Sequence, residues 1–300
     1  MLTANWPKAV KIVEVGPRDG LQNEKTTLST EVKAKLIELL ADAGTKVVEA
    51  GAFVSPKWVP QMADTAQVLA AMDKRKGVTY PVLVPNEKGL ELAIANDADE
   101  IAVFTAASNT FNQKNTNATI DESFERLAPV MERAIAHGLR VRGYVSCVAS
   151  CPFEGEIDPA VVASVTRRLL DLGAYEVSLG DTIGVGTPVK IERMLDAVLA
   201  VASADELAMH FHDTYGQALA NIMVGLNKGI AVIDSSVGGL GGCPYAPGAG
   251  GNVATEDVLY MLHGCGVSTG IDLAKTVDTA RWISNQLGRD VASRVGRAWK

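Results

Sequence analysis

No apolar run in the chain approaches the roughly 18 residues that a membrane helix needs. The opening stretch, MLTANWPKAVKIVEVG, has no charged start leading into an apolar segment and little arginine, so neither a secretory signal nor a transit peptide is expected there. Excess basic charge is lacking too: 28 Lys and Arg face 35 Asp and Glu, a net charge of -7. That balance excludes a general nucleic-acid binder, although a local basic site can still take an anionic small molecule. Cysteine is scarce. Cys147, Cys151, Cys243 and Cys265 form no C-x-x-C pair, which argues against a disulfide framework and for free thiols in a reducing compartment. No Pro-rich or Ser-rich linker divides the chain. Its 300 residues, 47% hydrophobic and 21% charged, read as one folded domain with ample material for a core. The expected setting is the cytoplasm, with no membrane and no nucleic acid as partner.

What the chain does have is a recurring punctuation. A helical stretch ends, a Gly or an Asp-rich pair follows, and a β-branched run begins. The cases are Ala43-Gly44 before VVEAG, Asp97-Ala98-Asp99 before EIAVF, His137-Gly138 before RVRGYVS, Leu172-Gly173 before YEVSLG and Lys228-Gly229 before AVIDSSV. The helices between carry apolar stripes of period 3.6, such as Val162, Val165, Leu169 and Leu172, which opens on Asp158-Pro159 as cap and first residue. Strands are expected near 11–15, 47–51, 79–84, 100–104, 140–146, 175–179, 207–212 and 232–237, each followed by helix. Eight βα units predict an α/β fold of the (β/α)8 TIM-barrel type, with a doubly wound open sheet as the rival. The single catalytic domain spans 1–300, with the barrel at about 1–253 and a helical C-terminal extension at about 254–300.

A barrel keeps its chemistry at the C-terminal ends of its strands, and the unusual polar residues fall there. Strand 1 runs into VGPRDGLQNE with Arg18, Asp19 and Gln22. Glu49 lies in strand 2. Strand 6 ends in SLGDTIGVGTP with Ser178, Asp181 and Thr182. Strand 7 ends in HFHDTYGQALAN with His210 and His212, and strand 8 leads to Cys243 and Asn252. Residues two apart on a strand share a face, so His210 and His212 project together into the mouth, either to hold one metal or to hydrogen-bond inside the barrel. Two imidazoles with the Asp19 carboxylate and the Asn252 amide oxygen make a nitrogen and oxygen set suited to Mg²⁺ or Mn²⁺, or to zinc in a tetrahedral site. Asp19 and Asn252 equally suit a turn and a cap. Arg18 can steady a developing oxyanion or pair with Glu49, which must be paired if buried. Asp181 reads as a proton relay, a support for the ligands or a structural carboxylate. His137 and His263, near helix ends, read as cap or surface residues. The glycine-rich GGLGGCPYAPGAGG fails the dinucleotide fingerprint, so no nucleotide redox cofactor is expected. It reads instead as a lid carrying Cys243.

The segments VGPRDGLQNEK, FVSPKWVPQMAD, SLGDTIGVGTP, HFHDTYGQALAN and GGLGGCPYAPGAGGNVATED together resemble the 3-hydroxy-3-methylglutaryl-CoA lyases, over about residues 10 to 285. The resemblance implies a TIM barrel with added C-terminal helices. It implies cleavage of (S)-3-hydroxy-3-methylglutaryl-CoA to acetyl-CoA and acetoacetate, and a homodimer. It further implies Mg²⁺ or Mn²⁺ at Asp19, His210, His212 and Asn252, and catalytic roles for Arg18, Glu49 and Cys243. His210 or Asp19 would take the hydroxyl proton and Asp181 would assist. Arg18, Gln22, Ser178 and Thr182 are the candidate substrate contacts. Lys25, Lys57 and Lys114 read as solvated loop charge or as partners of CoA phosphates. The chain ends GRAWK, without the terminal cysteine of animal members, so a redox disulfide between subunits is not expected. The alternatives are a lyase for a longer substituent at C3, a Claisen-type synthase of the same superfamily, and a non-catalytic barrel that senses acyl-CoA.

Overall fold

The computed structural model describes residues 6–242 and 251–300. Eight parallel strands succeed one another: Lys11–Glu14 (β1), Val47–Val48 continued by Gly51–Ala52 (β2), Val82–Leu83 (β3), Glu100–Ala106 (β4), Arg140–Ser146 (β5), Glu176–Asp181 (β6), Leu207–Phe211 (β7) and Val232–Ser235 (β8). The hydrogen-bonding order is β2-β1-β8-β7-β6-β5-β4-β3-β2. One strand stands at both ends of that order, so the sheet closes on itself: a TIM barrel, not an open sheet. The first half of β2 ladders with β1 and its second half with β3. Between the halves, the Glu49 amide donates to Glu14 and the Ala50 amide to Pro81. β3 is shorter than the expected 79–84. Pro81 has no amide to offer a ladder, and Thr79 makes only a bridge to Val47.

The helices are α1 (Thr30–Asp42), α2 (Thr65–Ala71), α3 (Glu87–Ala95), α4 (Asn109–Thr116), α5 (Ile120–Ala136), α6 (Pro159–Asp171), α7 (Pro188–Leu199), α8 (Ala218–Asn227), α9 (Thr255–Gly264), α10 (Leu273–Gln286) and α11 (Arg294–Ala298). Their starts follow local chemistry. Asp158 caps α6 by accepting from the Ala160 amide, with Pro159 in the first position, and Thr119 with Glu122 forms a capping box on α5. Of the turns back into strands, Gly44 shows why glycine stands there. Its φ is +112°, and a Cβ would lie 2.4 Å from the Gly270 carbonyl. Asp97 makes the corresponding turn after α3 with φ of +51°. The sequence reading did not foresee a small antiparallel pair at the mouth after β5, Ser150–Cys151 with Gly155–Glu156. Among the described residues no helix is long and apolar enough to cross a membrane.

The apolar core is divided. Ile12, Val48, Val177, Leu179, Met209, Phe211 and Ile233 point out from the strands and pack beneath the helices in one large cluster. Inside the barrel Val13, Val15, Val47, Ala208 and Val232 form a separate small apolar cluster. The lumen also carries the buried charges of Arg142, Glu176 and Asp234, and these set up the site.

Candidate active site

The turn after β1, Gly16–Gly20, carries Arg18 and Asp19 to the mouth. It packs so tightly against the end of β8 that a Cβ on Gly20 would lie 2.7 Å from Ser236 Oγ. His210 and His212 rise from β7 beside it, both buried, with ring centres 5.5 Å apart. His210 Nε2 faces Asp19 Oδ2 at 3.9 Å. One possible ligand atom from each of Asp19, His210 and His212 falls within a cluster 4.8 Å across. Asn252 donates from Nδ2 to Asp19 Oδ2 at 2.8 Å, and its backbone bridges that of His212. All four expected metal ligands are thus brought together.

The electrostatics suit a cation. Burial raises the Asp19 pKa, but the charges of Arg18, His210 and His212 and the Asn252 hydrogen bond outweigh it and hold the carboxyl at about 2. Burial and the neighbouring His210 lower His212 to about 4, so its imidazole is neutral at pH 7. Burial acts against protonation of His210 as well, yet the Asp234 hydrogen bond and the charges of Asp19 and Asp234 raise its pKa. His212 Nδ1 is buried without a hydrogen-bond partner, which is costly unless something takes its lone pair or proton. An ionised Asp19 carboxylate and two clustered imidazoles, of which His212 is neutral and has an unpartnered ring nitrogen, fit a divalent ion with nitrogen and oxygen ligands.

Beside this cluster Arg18 is clamped. Its Nε and Nη2 hold Glu49 Oε2 at 2.9 and 2.7 Å, and Nη1 holds Asp19 at 2.7 Å. Glu49 accepts a further bond from the Tyr144 hydroxyl at 2.8 Å. Among the described residues, two of the five guanidinium N–H groups hydrogen-bond in this clamp, from Nε and from Nη1, while Nη2 lies in ion-pair contact with Glu49. The expected pairing of Arg18 with Glu49 is therefore present together with the mouth location.

The other expected residues divide. Asp181 lies buried at the end of β6. Burial lifts its pKa to about 6 against hydrogen bonds from the 184–186 turn, and its Oδ1 has no partner. Gln22 donates to Asp19 at 3.2 Å, so it steadies a ligand. Thr182 accepts from the Cys147 amide at 2.8 Å and ties two rim loops together. Ser178, expected to touch substrate, sits deeper: its hydroxyl donates to Asp234 at 2.7 Å inside the barrel. Cys243 and residues 243–250 of the expected lid lie outside the described residues. His263 donates to or accepts from Thr269 near the end of α9 and His137 caps α5, both as cap or surface residues.

Sequence reasoning passed over a group beneath the mouth. Arg142, fully buried, donates from Nε to Glu176 at 2.7 Å, from Nη1 to the Tyr144 hydroxyl at 2.7 Å, and from Nη1 and Nη2 to Asp234 at 3.1 and 2.7 Å. Lys11 closes the far end on Glu176 at 2.6 Å. One hydrogen-bonded chain thus runs from the barrel floor to both His210 and Arg18. The signal was charge inside β-branched strands: Arg142 and Tyr144 share a parity, as do Glu176 and Ser178, and Asp234 pairs in register with His210.

A closed parallel barrel with a candidate cation site beside an arginine poised for an oxyanion defines a class: a TIM-barrel enzyme acting on a carbonyl substrate. The family model described as HMGL-like matches residues 9–283, and the chain belongs to that family. It is 57% identical to the mitochondrial hydroxymethylglutaryl-CoA lyase of Bos taurus, over 98% of this chain and 90% of that one. A crystal structure of hydroxymethylglutaryl-CoA lyase from Pseudomonas aeruginosa, 55% identical, superposes with a TM-score of 0.96 over 98% of both chains. An HMG-CoA lyase from Acinetobacter baumannii in complex with coenzyme A and 3-methylmalate, 36% identical, gives 0.93 over 98% of this chain and 96% of that one.

Proposed function

We propose that this protein is a hydroxymethylglutaryl-CoA lyase that cleaves (S)-3-hydroxy-3-methylglutaryl-CoA to acetyl-CoA and acetoacetate at a site loaded with Mg²⁺ or Mn²⁺. The observation that carries the reading is the convergence of Asp19, His210 and His212 beside the clamped Arg18 in a chain of this family. The relative that holds coenzyme A supports the acyl-CoA substrate.

The reaction is a retro-Claisen cleavage. The C2–C3 bond breaks, its electron pair enters the thioester as an enolate, and the tertiary hydroxyl loses its proton as the ketone forms. Asp19, His210, His212 and Asn252 would hold the cation, which supplies Lewis acidity toward the hydroxyl oxygen. Asp19, at about 2, is a weak base. His210, on the cation through Nε2 with its proton on Nδ1, has no lone pair left for that proton, and Asp181, lifted to about 6 with Oδ1 unpartnered, is the candidate acceptor. The Arg18 N–H groups not taken up by Glu49 and Asp19 stabilise the enolate oxygen, and Glu49 keeps the guanidinium from turning away. Cys243 supplies the proton that completes acetyl-CoA. That role rests on the sequence, since a thiol of ordinary pKa about 8.5 is protonated at neutral pH.

Turnover of (S)-3-hydroxy-3-methylglutaryl-CoA, with and without chelator, tests the reading. Activity lost on chelation and restored by Mg²⁺ or Mn²⁺ is expected, and chelator-resistant turnover would overturn the metal's part in it. Higher kcat/KM for a long-chain C3 homologue would shift the substrate to that homologue. Condensation of acetyl-CoA with a 2-oxo acid would make the protein a synthase. For the expected homodimer, a lone 31.6 kDa species in sedimentation is the overturning result.

A further inference from the structure

We propose that Asp234 is a positioning residue: it takes the Nδ1–H of His210 and so aims the Nε2 lone pair of that imidazole at Asp19. The inference rests on reading His210 as a metal ligand. A carboxylate is an acceptor only. Asp234, one register step across from His210, lies 3.2 Å from its Nδ1, and this contact requires the proton to sit on Nδ1. The other nitrogen then faces Asp19 at 3.9 Å.

The carboxylate cannot turn away from this task. Arg142 grips both of its oxygens, at 3.1 and 2.7 Å, and Ser178 donates to Oδ2 at 2.7 Å. All three residues are buried, at 0% exposure for Arg142 and Ser178 and 1% for Asp234. Oδ2 therefore receives donors from Arg142, Ser178 and His210 at once. Arg142 is itself tied to Glu176 on β6 and to Tyr144 on its own strand β5, so the guanidinium that holds Asp234 is fixed in turn. Such outer partners of a metal-binding imidazole set its tautomer and its angle, and their removal typically weakens metal binding by about 10–100-fold.

The test uses the full-length, metal-free protein with ¹⁵N-labelled histidine, at a pH high enough to keep His210 neutral, and a His210→Gln sample to assign its signals. Nitrogen NMR should show the His210 proton on Nδ1. In Asp234→Ala the proton should redistribute toward Nε2, and Mn²⁺ affinity, read by calorimetry, should fall by about 10–100-fold. Asp234→Asn keeps the shape and, through its oxygen, an acceptor at the Oδ2 position. It should retain the Nδ1–H form while binding Mn²⁺ several-fold more weakly than the parent, because the acceptor is no longer an anion. A parent His210 protonated on Nε2 would overturn the proposal, as would an Asp234→Ala protein with unchanged tautomer and unchanged affinity. If Asp234→Ala does not fold, Asp234→Asn decides, and parental Mn²⁺ affinity there overturns the proposal. A parent that binds no Mn²⁺ would refute the metal reading of the site, while the tautomer would still decide the role of Asp234.

Discussion

Arg18 is buried and held by Glu49 and Asp19, so its replacement has a specific signature. Arg18→Met should lower kcat on the order of 10²–10³-fold while KM changes little, because charge on the thioester oxygen grows only toward the transition state. Raised KM at normal kcat would make Arg18 a binding residue only. Arg18→Lys should recover little, since an ammonium cannot span Glu49 and Asp19 as the fork does. His212→Ala should weaken Mn²⁺ binding and nearly abolish turnover with the circular dichroism spectrum preserved; unchanged affinity would remove His212 from the site. Cys243→Ser should bind substrate yet turn over far more slowly, because a hydroxyl is a much poorer acid than a thiol. Full activity there, or alkylation that inactivates through Cys147, Cys151 or Cys265, would move the catalytic thiol elsewhere. Arg18, Asp19, His210 and His212 were legible because strand ends in a barrel are where polar residues have no structural excuse. Arg142 and Asp234 were not, because a charge inside a strand looks the same in a sequence whether it faces the lumen or the helices. Only the register that sets Asp234 beside His210 tells the two apart.

At the scale of elements, the strand–helix alternation was readable from punctuation and period, and closure of the barrel was not. Closure depends on β2 serving two neighbours across Glu49 and Ala50, a matter of long-range pairing that local patterns do not encode. Another long-range device is Glu14. It accepts from the Gly16 and Val237 amides at 2.8 and 2.9 Å and from Thr255 at 2.7 Å, so one carboxylate pins the Arg18 turn, the end of β8 and the start of α9. Burial pushes it to about 7, against those hydrogen bonds and with Glu256 adding to the rise. In the unfolded chain the group titrates near 4.5. Between these values the folded chain keeps a proton that the unfolded chain releases, so stability contributed below pH 4.5 is lost as pH rises through 7. Glu14→Gln should remove that slope, so that its stability relative to the parent improves across this window on the order of 1–3 kcal/mol. Denaturant unfolding at pH 5 and pH 8 measures it, and parallel pH dependences in parent and variant would show that Glu14 stays ionised.

Across the whole molecule, the C-terminal helices act on the mouth from outside. Ser293 donates to Glu256, the Arg294 and Val295 amides donate to Asp257 at 3.1 and 2.7 Å, and Arg294 reaches Asp213, next to His212, at 2.8 Å. Glu256 in turn accepts from the Gly238 amide at 3.0 Å, at the base of the segment that leads to Cys243. Deleting residues 293–300 should therefore depress kcat as well as the melting temperature; a truncated protein with parental kcat at a temperature where it remains folded would limit the segment to stability.

The charged lumen has a consequence for how the protein comes into being. Lys11, Arg18 and Glu49 arrive with the first two strands, and Arg142, Glu176, His210 and Asp234 with the last four. Each half pairs most of its own charge, Arg18 with Glu49 and Arg142 with Glu176 and Asp234, and further contacts join the halves: Lys11 finds Glu176 on β6, and Glu49 accepts from Tyr144 on β5. An isolated first half would leave Lys11 without the Glu176 carboxylate and Glu49 without the Tyr144 hydroxyl, so the network is complete only in the closed ring. Closing the barrel and bracing the Arg18 clamp through Glu49 and Tyr144 are therefore one structural event.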